Sequence, residues 1–150
     1  MIRDDIKAAT IAAMKSGDKE TTGTLRLVSA AIKNRDIELR TSDKVPEDDQ
    51  LVTEVLQKMI KQRRESAEIY RTGGRADRAE TEEREVAVIE RFLPRQMSDE
   101  EARAAIQAII ADTGASSIRD MGRVMAEVKS RHGGALEPAR ASALVKAALG

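Results

Sequence analysis

Apolar residues recur along most of the chain at intervals of three and four, which places them on one face of an α-helix. In the first segment these residues are Ile2, Ile6, Ala9 and Ala13. Glycines, prolines and polar runs interrupt the pattern and divide the chain into seven predicted helices. We predict them over residues 2–16, 18–39, about 46–71, 76–93, 99–113, 118–132 and 138 onward.

Several residues at the predicted helix ends have capping roles. Ser98 and Glu101 have the spacing of a capping box, in which each side chain satisfies the other residue's backbone amide. Pro46 falls in the first turn of the third helix, where proline is tolerated. Gly73 or Gly74 can take the left-handed conformation that ends this helix. The helix boundaries therefore rest on local chemistry as well as on periodicity.

The helices fall into two groups separated by Pro94, because proline restricts the residue before it and cannot continue a helix. The sequence predicts an all-α protein, with an N-terminal four-helix lobe (1–94) and a small three-helix C-terminal lobe (95–150). The segment PRQM, residues 94–97, is the candidate hinge. Only 1% of the residues are aromatic, so the core must be packed from Ile, Leu, Val, Met and Ala.

The composition also excludes several kinds of site. The chain has no Cys, which excludes disulfides, thiolate nucleophiles and Cys-ligated zinc. Its apolar runs fall short of the ~20 residues that cross a bilayer, and its first residues lack the character of a signal peptide. We therefore expect a cytoplasmic protein that does not associate with a membrane.

The segment KMIKQRRESAEIY, residues 58–70, concentrates basic residues in a chain of zero formal net charge. On a helical wheel its apolar face continues through Ile69 and Tyr70, while Lys58, Lys61 and Arg64 point away from it. These three cations are candidate nucleic-acid contacts, and the alternative is a solvated helix face.

Arg63, in the same segment, is predicted to enter the helical bundle. Glu82 interrupts the apolar face of the fourth helix in a similar way, so we predict that Arg63 pairs with Glu82. Glu85, at the edge of that face, is a second candidate acceptor. We interpret the group as a structural ion pair that fixes helix register, because either charge alone would be desolvated at high cost.

The C-terminal lobe carries the more basic surface. From residue 119 onward, six basic residues face three acidic ones. Such an excess is typical of a surface that contacts phosphates. The candidate nucleic-acid contacts here are Arg119, Arg123, Lys129, Arg131, Arg140 and Lys146.

No arrangement of residues predicts catalysis. His132 is the only histidine and lies at a predicted helix end, where a cation suits the helix dipole. Ser and Lys occur four residues apart at Ser29 and Lys33, but this spacing arises by chance in Lys-rich helices and no oxyanion site accompanies it. We predict no catalytic residue, no metal site and no cofactor.

Gly122 lies inside the predicted sixth helix, where glycine costs up to ~1 kcal/mol relative to alanine. A close crossing of two helices is the expected reason. The alternative is that the backbone of a partner approaches there. Both interpretations predict a bare spot on the helix surface.

Three separated stretches resemble the GatB/YqeY family, in particular its stand-alone YqeY proteins. They are KMIKQRRESAEIYRTGGRADRAETEEREVAVIERFLPRQMSDEE, DMGRVMAEVKSR and ALVKAAL, in that order along the chain. The resemblance implies an all-helical, two-lobed fold. It places the family's signature on Lys61, Gln62, Arg63, Glu65, Tyr70, Gly74, Arg75, Asp77, Glu82, Glu85, Leu93, Pro94, Met121, Gly122 and Met125.

The resemblance also implies a function. The second lobe is similar to the tail domain of the B subunit of the glutamyl-tRNA amidotransferase, which helps to grip tRNA, and to a tRNA-affinity module of some glutaminyl-tRNA synthetases. The family label of carbon-nitrogen ligase with glutamine as amido donor belongs to the larger subunit, whose catalytic domain is absent from this chain.

Three functions are therefore open at this stage. The first is a non-catalytic, tRNA-binding accessory protein of aminoacylation or transamidation, with an aminoacyl-tRNA synthetase or an amidotransferase as a partner. The second is a protein-protein adapter that does not bind RNA. The third, carried only by the family label, is an amidotransferase-type enzyme. The sequence does not indicate the oligomeric state.

Overall fold

The computed structural model describes all 150 residues. It contains seven α-helices, two short 3₁₀ turns (Leu39–Thr41 and Ile118–Asp120) and no β-strand, which confirms the predicted all-α class. None of the helices combines the length and the apolar character needed to cross a membrane. The helices are α1 (Ile2–Ser16), α2 (Lys19–Glu38), α3 (Asp48–Thr72), α4 (Ala76–Glu90), α5 (Asp99–Thr113), α6 (Met121–His132) and α7 (Pro138–Leu149).

Two predicted helix boundaries in the N-terminal unit need correction. α3 begins at Asp48, so Pro46 lies in the preceding connection and not in the first helical turn. α4 ends at Glu90, three residues before the predicted end. The amides of Phe92 and Leu93 bond to carbonyls only three residues back, at 3.1 and 3.2 Å. Here the chain tightens before Pro94, which cannot donate a backbone hydrogen bond.

The helix caps form largely as the local chemistry predicts. Ser98 Oγ accepts from the Glu101 amide at 3.1 Å, and Glu101 Oε1 accepts from the Ser98 amide at 3.1 Å, so the capping box is present. The side chain of Arg95, followed by the bonds to Ser98, lowers the pKa of Glu101 to about 2. At the end of α3, Gly74 has the left-handed conformation with φ of 75°, whereas Gly73 does not.

The chain divides into an N-terminal unit, Met1–Leu93, and a C-terminal unit, Pro94–Gly150. α1 to α4 form the first unit, in which α3 and α4 have the most extensive mutual packing. All four helices contribute to its core, and α3 contributes most. The buried side chains of this core are Ile6, Leu25, Val28, Ile32, Leu51, Val52, Leu56, Met59, Ile60, Val86 and Ile89.

One arginine joins three helices of the N-terminal unit, which the sequence did not predict. Arg3 of α1 donates to Asp36 of α2 at 2.9 Å and to Asp48 of α3 at 2.8 Å. The neighbouring Ile2 amide donates to Asp49 Oδ1 at 3.0 Å. The carboxylates at the start of α3 therefore act as tertiary contacts for α1 as well as favourable charges for the α3 dipole.

The C-terminal unit packs α5, α6 and α7 around a separate core of Ala102, Ile106, Ile109, Val124, Val128, Leu136, Ala141 and Val145. Its first residues are bonded into this unit. The Met97 amide donates to Ala135 O at 2.9 Å, and Gln96 Nε2 donates to Gly134 O at 2.9 Å. Half of the candidate hinge PRQM is thereby anchored to the segment that precedes α7.

Candidate nucleic-acid interface and the interior ion pair

Arg63 is partly buried, unlike the exposed cations Lys58, Lys61 and Arg64 of the same helix. Its side chain is 14% exposed and its Nε donates to Glu85 Oε2 at 2.9 Å, where the Glu85 side chain is 21% exposed. Arg63 Nη1 also donates to Met59 O at 3.4 Å. These bonds hold the guanidinium between α3 and α4.

The predicted partner Glu82 is not the direct partner of Arg63. Two outer ion pairs show the antiparallel register of α3 and α4. They are Arg71 with Glu83 and Arg64 with Glu90, each with an N–O distance of 2.7 Å. In that register Glu85 lies one turn nearer to Arg63, because three residues advance an α-helix by about 4.5 Å. A helical wheel gives the face of each side chain but not this offset.

Glu82 remains part of the group through its charge. Burial is the main reason that the pKa of Glu82 is raised, the neighbouring Glu85 carboxylate raises it further, and Arg63 partly opposes both. Two carboxylates therefore act on Arg63. Glu85 is hydrogen bonded to it, and Glu82 is a partly buried charge nearby.

The substitution Glu82→Gln is expected to stabilise the protein at neutral pH. Because the folded pKa of Glu82 is raised, its contribution favours the folded state below the unfolded pKa and is lost as the pH rises through the folded pKa. The uncharged amide should raise the Tm at pH 7 by about 2 °C. The gain should disappear below about pH 4.

Thermal unfolding at stepped pH measures this effect, with Glu83→Gln as the control. Glu83 is also on α4, but it is exposed and paired with Arg71, so its amide variant should show no rise. A lower Tm for Glu82→Gln at pH 7 would show instead that Glu82 is a stabilising partner of Arg63.

The three outer cations of α3 differ in their contacts. Lys58 and Lys61 are exposed, as is Arg64. Arg64 Nη2, however, donates to Glu90 Oε1 at 2.7 Å. Two of the three candidate contacts in this unit are thus exposed lysines, whereas the third has an acidic neighbour from α4.

Among the C-terminal cations, Arg123, Arg131 and Arg140 have acidic partners within their own unit. Arg140 lies 2.7 Å from Asp99, and Arg123 lies 3.2 Å from Asp120. Arg131 bonds both to Asp112 at 2.9 Å and to Glu127 at 2.8 Å. The local positive excess is therefore smaller than the residue count from 119 onward indicates, because Asp99 and Asp112 come from α5.

Arg119 and Lys146 differ from these three, since neither side chain makes a hydrogen bond or an ion pair within the chain. Both side chains are exposed, and so is Lys129. Arg123 and Lys129 are six residues apart, which places them about 120° apart around α6. Arg123 and Lys129 therefore lie on different faces of α6 and do not form one continuous patch. Arg119 precedes the helix, in the 3₁₀ turn Ile118–Asp120.

The side chain of Asp120 fixes the turn that carries Arg119 through hydrogen bonds to backbone amides. The sixth helix was predicted to begin at residue 118, but Ile118–Asp120 form a 3₁₀ turn that follows Ser117, and α6 starts at Met121. Asp120 Oδ2 accepts from the Ser116 amide at 2.9 Å and from the Ser117 amide at 3.4 Å. These two bonds are the main reason that the pKa of Asp120 is lowered.

The close helix crossing expected at Gly122 is wrong. Gly122 is the second residue of α6, and a Cβ atom built on it would meet no atom within 4 Å. His132, in the last turn of α6, occupies the helix end where a cation suits the dipole. No cluster of three or more His, Asp or Glu side chains is placed to hold a metal ion.

The fold and these surfaces define an all-helical protein of two compact units, with a partly buried ion pair in the first and two unpaired cations in the second. A family model described as Yqey-like protein matches residues 3–149. The chain therefore belongs to the YqeY-like family. A search of the curated proteins found no match.

Proposed function

We propose that this protein is a non-catalytic accessory protein of tRNA aminoacylation or transamidation, and that its C-terminal unit holds the tRNA backbone. The observation that carries the proposal is that Arg119 and Lys146 have no acidic partner in the chain. The chain belongs to the YqeY-like family. The sequence resemblance of its second unit to the tail domain of the amidotransferase B subunit also supports the proposal.

An unpaired cation is better placed to bind phosphate than a paired one. Arg123, Arg131 and Arg140 must each exchange a carboxylate for a phosphate, so little net free energy is gained. Arg119 and Lys146 release only counterions and water. With two such contacts, the logarithm of the binding constant should fall with the logarithm of the salt concentration with a slope of about −2.

Filter binding of total tRNA between about 50 and about 200 mM salt tests this proposal. Wild-type protein should bind at the lower salt and lose affinity at the higher. Arg119→Ala and Lys146→Ala should each weaken binding by about threefold to tenfold and make the slope shallower by about one.

Arg131→Ala is the matched control, because Arg131 is already occupied by Asp112 and Glu127. Its effect on tRNA affinity should be smaller than that of Arg119→Ala. Absence of binding by the wild-type protein at the lower salt would overturn the proposal. Equal losses in the Arg119 and Arg131 variants would refute the assignment to unpaired cations.

A protein-protein adapter is the second candidate function. The observation that favours it is the internal pairing of Arg123, Arg131 and Arg140, which leaves less charge for RNA. Affinity capture with and without RNase distinguishes the two functions. An aminoacyl-tRNA synthetase or amidotransferase that stays bound after RNase treatment supports the adapter, and one that is lost supports the tRNA-binding protein.

A further inference from the structure

Folding leaves a group of apolar side chains exposed on the outside of α1 and α2. Ile11 and Met14 lie three residues apart on one face of α1 and are 47% and 54% exposed, and Leu27 of α2 is 51% exposed. Arg26 Nη2 lies 4.0 Å from Met14 Sδ, so Met14 is beside the start of this face of α2. We call the surface formed by Ile11, Met14, Arg26 and Leu27 the α1–α2 seam. None of its apolar side chains belongs to the core of the N-terminal unit.

Cations run along the same seam. The contacts between α1 and α2 have an antiparallel register. Lys7 lies seven residues before Met14 and Lys33 lies seven residues after Arg26, which is about two turns along each helix. Lys7 and Lys33 are therefore placed opposite each other across the seam. Lys19 lies seven residues before Arg26 and continues the row on α2.

The acidic side chains of the two helices do not neutralise this row. Each acidic residue of α2 is bonded to another arginine: Asp36 to Arg3, Glu20 to Arg84 and Glu38 to Arg35. The exposed side chains of Lys7, Lys19 and Lys33 make no hydrogen bond or ion pair within the chain. Asp4, one turn before Lys7, is also exposed and does not pair with it. The seam thus combines uncovered apolar side chains with an excess of positive charge.

We propose that the α1–α2 seam is the docking site for an acidic amphipathic helix of a partner protein. This inference does not rest on tRNA binding, which the proposed function assigns to the C-terminal unit. Two antiparallel helices form a straight groove, and a third helix packs along such a groove through its apolar face. Leucine-like side chains of the partner would cover Ile11, Met14 and Leu27. Its flanking carboxylates would pair with the row of cations, which supplies the charge complementarity.

Other occupants match the seam less well. A nucleic acid or a membrane surface is bound with the help of aromatic side chains, and the seam has none. Two copies of the seam would repel each other, because like charges would meet. The acidic surface of a second copy, where Glu65 and Glu68 line an open recess, offers only Ile69 as a large apolar side chain.

A synthetic peptide of about 20 residues, the length of α2, is the probe for this site. It carries leucine along one helical face and glutamate on both sides of that face. Fluorescence anisotropy of the labelled peptide, titrated with the full-length protein at about 50 mM salt, measures the affinity. A peptide with the same leucine pattern and lysine in place of glutamate is the control for charge.

Leu27→Ala and Lys33→Ala should each weaken binding of the acidic peptide by about fivefold or more. Lys33→Ala should also make the affinity less dependent on salt, whereas Leu27→Ala should leave the salt dependence unchanged. The matched controls are Ile69→Ala and Lys61→Ala, which make similar changes at exposed side chains of α3 outside the seam. Each control should change the affinity by less than about twofold.

The wild-type protein should bind the acidic peptide and not the lysine peptide. Absence of binding to the acidic peptide, or equal losses in the seam and control variants, would overturn the proposal. Vesicles of phosphatidylcholine with phosphatidylglycerol and a DNA duplex are tested in parallel. If Lys33→Ala and Leu27→Ala impair binding to one of these and the acidic peptide does not bind, the seam recognises another class of anion and the proposal is wrong. Self-association of the wild type that Lys33→Ala abolishes would likewise assign the seam to a second copy and refute it.

Discussion

Arg63→Ala is expected to lower the free energy of unfolding by about 2–3 kcal/mol. The substitution removes the hydrogen bond to Glu85 and leaves that carboxylate, which is only 21% exposed, without its countercharge. Glu82 adds to the effect, because its pKa is already raised by burial and by Glu85, with Arg63 as the opposing charge. The estimate lies below that for a fully buried pair because water still reaches both side chains.

Urea denaturation followed by circular dichroism measures this loss, with Arg71→Ala as the control. Arg71 joins the same two helices through Glu83, but both side chains are about half exposed, at 48% and 51%. Its loss should cost less than about 1 kcal/mol. Similar losses for the two variants would show that the partial burial of Arg63 has no energetic consequence.

A double variant separates the ion pair from packing. Arg63→Met combined with Glu85→Leu replaces both charges with apolar side chains and should recover most of the stability lost in Arg63→Ala. Failure to recover would indicate that the hydrogen bond to Met59 O, at 3.4 Å, or the shape of the guanidinium also contributes.

The helices and their caps could be predicted because both depend on residues close in sequence. The apolar spacing that defines α5 and the Ser98–Glu101 capping box act over three or four residues. The same local rule predicted that Arg63 turns inward. Its partner was predicted incorrectly, because the choice between Glu82 and Glu85 depends on the offset between two helices.

The end of α3 shows a second limit of the helical wheel. Ile69 was placed on the inner face, yet it is 71% exposed. Ala67, two residues earlier and about 200° away around the helix, is buried at 5%. A periodicity count favours the larger apolar residue, whereas in this part of α3 the small side chain is the one that faces inward.

The candidate interface could be predicted as a set of cations but not as a surface. Whether Arg131 or Arg140 is neutralised depends on Asp112 and Asp99, which α5 brings beside them. Arg119 remains unpaired because its turn is held by Asp120, whose oxygens are bonded to backbone amides and to Arg123. The pairings of Arg131 with Asp112 and of Arg140 with Asp99 follow from tertiary packing, so a count of charges along the chain overestimates the positive field.

Leu56→Ala is expected to lower the free energy of unfolding by about 3 kcal/mol, the largest effect we predict. Leu56 lies in the middle of α3, is 0% exposed and belongs to the core of the N-terminal unit. The substitution removes buried methyl groups and leaves a cavity that the surrounding helices fill only in part. Urea denaturation at neutral pH, compared with the wild type, measures the loss.

Leu27→Ala is the matched control, since it makes the same chemical change on α2 at a side chain that is 51% exposed. It should alter the stability by less than about 0.5 kcal/mol. The buried side chains of this core are Ile, Leu, Val and Met, and Phe92 packs against them only as a partly buried side chain. A loss below about 1 kcal/mol for Leu56→Ala would therefore contradict the packing of α3 described above.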